Sequence, residues 1–126
     1  MKTLRRSVVA CALVLVACQG RPSMTLASAA ETPPAETVDV RFSSPIQGRA
    51  ADQYWLVIAP SDAPDSYAET RVFVERMATS ARVAAPSTPG TYEVRLHGKW
   101  PAKPHHVVER LPLVVRPPET RYADGR

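Results

Sequence analysis

Few side chains in this 126-residue chain combine a reactive type with a spacing that defines a reaction. Both cysteines, Cys11 and Cys18, fall near the N-terminus, and the three histidines are His97, His105 and His106. Neutral imidazoles ligate Zn²⁺ or Cu²⁺. His97 is expected at the end of one strand and His105 and His106 at the start of the next, so a hairpin end would gather all three. Gly98, Pro101 and Pro104 leave that geometry open, and exposed loop histidines are the simpler expectation. Asp62, Asp65 and Glu69 surround a Pro/Ser turn whose carboxylates suit calcium, but without EF-hand spacing. Trp100 lies in Gly98-Lys99-Trp100-Pro101, with Lys103 close by. An aromatic ring flanked by Lys99 and Lys103 can stack a ligand or dock on a partner, or fold back and cap its own domain. No G-x-S-x-G, H-E-x-x-H, P-loop or G-x-G-x-x-G pattern occurs. No serine has a base at a telling distance, so neither catalysis nor a cofactor is expected.

These residues must be delivered somewhere and positioned by something. The chain opens Met1-Lys2-Thr3-Leu4-Arg5-Arg6 and continues through the apolar run Val8 to Ala17. A basic start followed by a short apolar stretch is an export signal. The run is too short for a membrane span, which needs about 20 residues, and no later stretch is longer.

The apolar run ends Leu15-Val16-Ala17-Cys18. It resembles the lipobox of bacterial lipoproteins, in which an aliphatic residue, a small or β-branched one and a small one precede cysteine. The resemblance implies that the Cys18 thiol is joined to diacylglycerol, that the signal is cut between Ala17 and Cys18, and that the new amine is acylated. Each buried CH₂ contributes about 0.8 kcal/mol, and two or more chains give stable anchoring. Gln19 follows the cysteine. Aspartate there is the usual inner-membrane retention signal of lipoproteins, so the resemblance implies an outer-membrane destination in a cell with two membranes. A second reading is an ordinary secretory signal cut after Ala27-Ser28-Ala29 or Ser28-Ala29-Ala30, which releases a soluble periplasmic or secreted protein able to carry a ligand or metal. That reading leaves the polar segment Gln19 to Leu26 between the apolar run and the cut.

Export changes the charge balance. Lys2, Arg5 and Arg6 are lost from a total of 16 basic residues, leaving 13 against 12 acidic ones, a net charge of +1. A mature chain so close to neutral has no electrostatic footprint for nucleic acid. After cleavage Cys18 is the remaining cysteine, which excludes an intrachain disulfide or a zinc–cysteine cluster.

The segment 18–36 is rich in Ala, Ser, Thr, Pro and Glu and shows no periodicity, which predicts a flexible tether behind the cysteine that the resemblance implies is lipidated. Eighteen residues of such chain reach about 60 Å when stretched and about 25 Å when relaxed. From 37 to 117 the pattern is that of strands. Val38-Asp39-Val40-Arg41-Phe42 alternates, and Gln53 to Ala59 is a short apolar run suited to a strand buried on both faces. In Thr91 to Leu96, Tyr92, Val94 and Leu96 share one face and Thr91, Glu93 and Arg95 the other. Strands are also expected over 70–75, 81–86 and 107–115, a helical turn is possible near Met77 to Ala81, and Gly98 to Pro104 reads as a loop. Pro112 argues for an edge position of the last strand. A loose tail covers 118–126. Thirteen prolines disfavour a helical bundle, and six or seven short strands with regular turns predict a small antiparallel all-β sandwich.

Two motifs sharpen that expectation. Tyr54-Trp55-Leu56-Val57-Ile58 is similar to the central, tryptophan-bearing strand of immunoglobulin-like domains, and Pro89-Gly90-Thr91-Tyr92-Glu93-Val94-Arg95-Leu96 resembles a late strand of theirs. The resemblance implies that Trp55 packs in the core and that the Tyr92 hydroxyl bonds upstream backbone as a tyrosine corner. It implies little about activity. The sum is a lipid-anchored envelope protein carrying a non-catalytic binding or structural domain. Its expected partners are the membrane, through Cys18, and an envelope protein or glycan.

Overall fold

The computed structural model describes residues 23–27, 30–48 and 52–118. The segment 1–17, read from sequence as an export signal, Cys18 and the tail after Pro118 lie outside the described residues. Eight strands follow in order: β1 (Met24–Leu26), β2 (Glu31–Thr32), β3 (Thr37–Phe42), β4 (Asp52–Pro60), β5 (Val72–Val74), β6 (Ser80–Ala84), β7 (Gly90–Pro101) and β8 (His106–Val115). They form a three-stranded sheet, β1-β3-β6, and a five-stranded sheet, β2-β8-β7-β4-β5. Every pairing is antiparallel except the short β2–β8 contact. This is the small antiparallel all-β sandwich, immunoglobulin-like in its strand order.

The period-2 patterns build the core. In β3, Val38, Val40 and Phe42 turn inward while Thr37 and Arg41 stay exposed. Leu56 and Ile58 of β4, Val94 and Leu96 of β7, and Leu113 and Val115 of β8 meet them from the other sheet. Each such side chain contributes about 1.5–3 kcal/mol when fully buried. The tyrosine corner is present: the Tyr92 hydroxyl donates to the Thr88 carbonyl at 2.7 Å. Pro112 sits on β8 opposite Glu93, and β2 reaches β8 only at Val114 and Val115. Its missing donor is therefore harmless on that stretch of edge.

The structure corrects the expectation in four places. The segment 18–36 is not free tether throughout, because β1 pairs with β3 from Met24↔Phe42 to Leu26↔Val40 and β2 joins β8. The sandwich thus starts well before residue 37 and has eight strands. Segments of two and three residues are too short to display a period, and their pairing comes entirely from neighbours distant in sequence. Gly98 to Pro104 is largely strand rather than loop, with Gln53↔Trp100 and Asp52↔Pro101 extending the β4–β7 ladder. The stretch near Met77 is a turn, not a helix. Trp55 is fully buried but stays out of the inter-sheet core, since Leu56 and Ile58 occupy the inward positions of β4 and alternation turns Trp55 to the opposite face.

Candidate functional site

That opposite face of the five-stranded sheet is where the polar chemistry gathers. Register aligns Phe73, Trp55, His97 and Val107 in one row across β5, β4, β7 and β8. Val57, Arg95 and Arg110 form the next row, and Ala59, Glu93 and Pro112 the third. An outer face of an antiparallel sheet is usually wet. Here the turn from Ser61 to Ser66 folds back over it, held through the Ala63 and Pro64 carbonyls and the Asp65 carboxylate.

The fastening is a buried guanidinium. Arg95 is 1% exposed. Its Nη1 donates to the Pro64 carbonyl at 2.8 Å, its Nη2 to Ala63 at 2.8 Å and to Pro60 at 3.4 Å, and its Nε to Glu93 Oε1 at 2.9 Å. Arg110 shares the Glu93 oxygen at 3.2 Å and reaches Asp65 Oδ1 at 2.8 Å. The Arg110 hydrogen bond holds the Asp65 carboxyl below its ordinary range, and the same bond raises Arg110. Arginine suits this position because its planar fork reaches several carbonyls at once while staying charged.

Beyond Arg95 the face turns aromatic. Trp55 and His97 stack with ring centroids 3.8 Å apart and planes within 9°. The Arg71 guanidinium lies 5.0 Å from the Trp55 ring, 4.5 Å from Trp100 and 5.7 Å from Phe73, and Phe73 meets Trp100 edge to face at 5.7 Å. The aromatic box is thus filled by the chain's own cation, a cation–π arrangement. His97 is fully buried, and neither of its ring nitrogens nor the Trp55 indole nitrogen has a hydrogen-bond partner. Burial, reinforced by the nearby Arg95 charge, lowers the His97 pKa to about 4. Its imidazole is neutral at pH 7, so it is not poised for proton transfer there.

The histidines do not form the metal cluster that their sequence order suggested. His97 pairs with Val107 while Gly98 pairs with His106, so alternation sends His97 and His106 to opposite faces, and His105 lies in the exposed turn. Among the described residues no three His, Cys, Asp or Glu side chains converge on a metal position. Asp62, Asp65 and Glu69 are all exposed, and Asp65 pairs with Arg110, so these carboxylates do not gather into a calcium cluster. His106 and Lys99 instead line a cleft of about 470 Å³ with Asp52 and Tyr54. Burial, then the Asp52 charge, raises the Tyr54 phenol there.

Trp100 is half-buried against Arg71 and Phe73 at the margin of the aromatic row, while Lys99 and Lys103 are exposed. Lys99 adopts a left-handed conformation at φ 61°, and its N–H donates to Asp52 Oδ1 at 2.9 Å. Trp100 therefore does fold onto its own domain, but with one side left at the surface. Sequence reading missed Arg71, Phe73, Arg95 and Arg110. The signal for Arg95 was present, since it shares a strand face with Glu93, but nothing in the pattern showed that this face is covered.

No protein-family model and no curated protein matches this chain.

Proposed function

We propose that this is an exported, lipid-anchored envelope protein whose sandwich has a non-catalytic binding or structural role. The observation that carries the reading is where the sandwich begins. Met24 opens β1 and is 3% exposed, and it lies six residues after Cys18. Cleavage between Ala17 and Cys18 leaves every strand in place. Cleavage after Ala29 or Ala30 would remove β1, strip three residue pairs from β3 and uncover the core around Met24. The lipobox-like Leu15-Val16-Ala17-Cys18 and the apolar run before it support the same cut.

On this reading the membrane is the first partner, through acylated Cys18, and the outer membrane is the destination in a two-membrane cell. The exposed side of Trp100, with Lys99 and Lys103, is the contact surface for an envelope component. The domain works by presentation: a rigid sandwich whose outer face is locked by Arg95 and whose loops meet a partner. The test is fractionation of the Cys18→Ser variant. It should move from the membrane to the soluble fraction, and its retention in the membrane at the wild-type level would remove the anchor.

A further inference from the structure

The described chain begins at Ser23, five residues after Cys18, and five residues reach at most about 18 Å. An anchored sandwich therefore sits close to its membrane, and topology decides which end faces it. β1 enters at Met24 opposite the end of β3, the β5–β6 turn starts from Val74, and β4 begins at Asp52 opposite Pro101. The β5–β6 turn and the β7–β8 hairpin therefore share the end at which the N-terminus enters.

That end is unlike the other. Phe73, at 44%, and Met77, at 52%, are the exposed large hydrophobic side chains among the described residues, and both are there. Met77 is held in a left-handed conformation at φ 69°, with its N–H donating to the Ile46 carbonyl at 2.6 Å, so its side chain is displayed rather than tucked in. Trp100 stands beside Phe73. Arg71, Arg76, Lys99 and Lys103 surround them, and none of these four makes an ion pair among the described residues. Glu75, Asp52 and Glu109, whose Oε1 accepts from the Met24 N–H at 3.2 Å, are the nearby acids. The far end carries Glu36, Asp62 and Glu69 instead.

We infer that the end bearing Phe73, Met77, Trp100, Lys99 and Lys103 lies against an anionic lipid surface. This rests on the anchored reading and names the occupant of the contact surface given there. Tryptophan belongs at the headgroup level, lysine and arginine stems lie along apolar surface with their charges at phosphates, and each cation near an anionic leaflet strengthens binding about fivefold. A protein partner would need a complementary acidic surface, whereas the short tether brings the lipid to this end without one.

The test uses the mature chain from Cys18 to Arg126, which keeps all eight strands. It is coupled through the Cys18 thiol to a maleimide lipid in phosphatidylcholine vesicles, with or without phosphatidylglycerol, containing chain-brominated lipid. Coupling supplies the anchor chemically, so the result does not depend on whether the cell acylates Cys18. Tryptophan emission should be quenched on the anionic vesicles, and Trp100→Phe should remove the quenched component while the buried Trp55 signal remains. Uncoupled chain should partition onto anionic vesicles, and K99Q/K103Q should weaken that partition ~25-fold with an unchanged melting temperature. Unquenched emission from the coupled chain would overturn the inference, as would equal quenching in Trp100→Phe or a K99Q/K103Q partition equal to wild type. In each of those outcomes the surface faces a protein or glycan instead.

Discussion

Replacing Arg95 by alanine should be the most damaging single change on the outer face. The side chain makes two hydrogen bonds to carbonyls of the covering segment, a longer one to the Pro60 carbonyl at the end of β4, and one to Glu93. Its removal leaves Pro60, Ala63 and Pro64 facing a void and weakens the seal over Val57 and Ala59. Breaking a buried charged network from one side costs about 3–5 kcal/mol. Small domains have total stabilities of about 5–15 kcal/mol, so the loss is a large fraction. At about 4–8 °C per kcal/mol for a domain of this size, the melting temperature should fall by at least ~12 °C. Arg95→Lys should lie between wild type and alanine, because one ammonium cannot reach all four acceptors. Urea unfolding gives the free energy, and limited proteolysis within 61–66 reports whether the segment lifts first. If Arg95→Ala costs under about 1 kcal/mol and leaves that segment protected, the fastening described here is wrong.

Three further outcomes follow from the same contacts. His97 has a folded pKa of about 4, below its unfolded value of 6.5. The unfolded chain then binds the proton more tightly, so stability falls as pH drops from 6.5 toward 4. Between pH 7.5 and 5 the loss should be about 2 kcal/mol, and His97→Phe, which keeps a ring against Trp55, should abolish it in paired urea titrations. A pH dependence unchanged by that variant would place the acid sensitivity elsewhere. Tyr92→Phe should cost about 0.5–1.5 kcal/mol, read by thermal melting, because only the bond to Thr88 is lost. Met24→Ala should cost about 2–5 kcal/mol, and a chain starting at Ala30 should lose more, since all of β1 is gone. Equal stability of that truncated chain would restore the soluble, late-cleaved reading.

What the sequence disclosed and what it hid have physical reasons. β3 and β7 alternate, and their inward residues are the ones that alternation selects, whereas the apolar run of β4 marks a strand buried on both faces without telling which residues meet the other sheet. The tyrosine corner was readable because it is a local motif, spanning Thr88 to Tyr92. β1 and β2 were invisible because Met-Thr-Leu and Glu-Thr are too short to show a period and become strands only when a distant partner is present. Trp55 was expected in the core by likeness to other sandwiches, yet the inward register of Leu56 and Ile58 turns it outward. Arg95 read as a polar-face residue, correctly, but its burial depends on the Pro60 to Pro64 carbonyls arriving from 31 to 35 residues away. The histidines were adjacent in sequence order, and strand alternation separated them.

The central claim is that the sandwich is held at a membrane by a lipid on Cys18. The most direct measurement is the intact mass of the N-terminal peptide of the mature protein recovered from the membrane fraction. The account predicts a peptide beginning at Cys18 and carrying diacylglycerol, with or without a further acyl chain on the amine. An unmodified peptide beginning at Ala30 or Glu31 would contradict it.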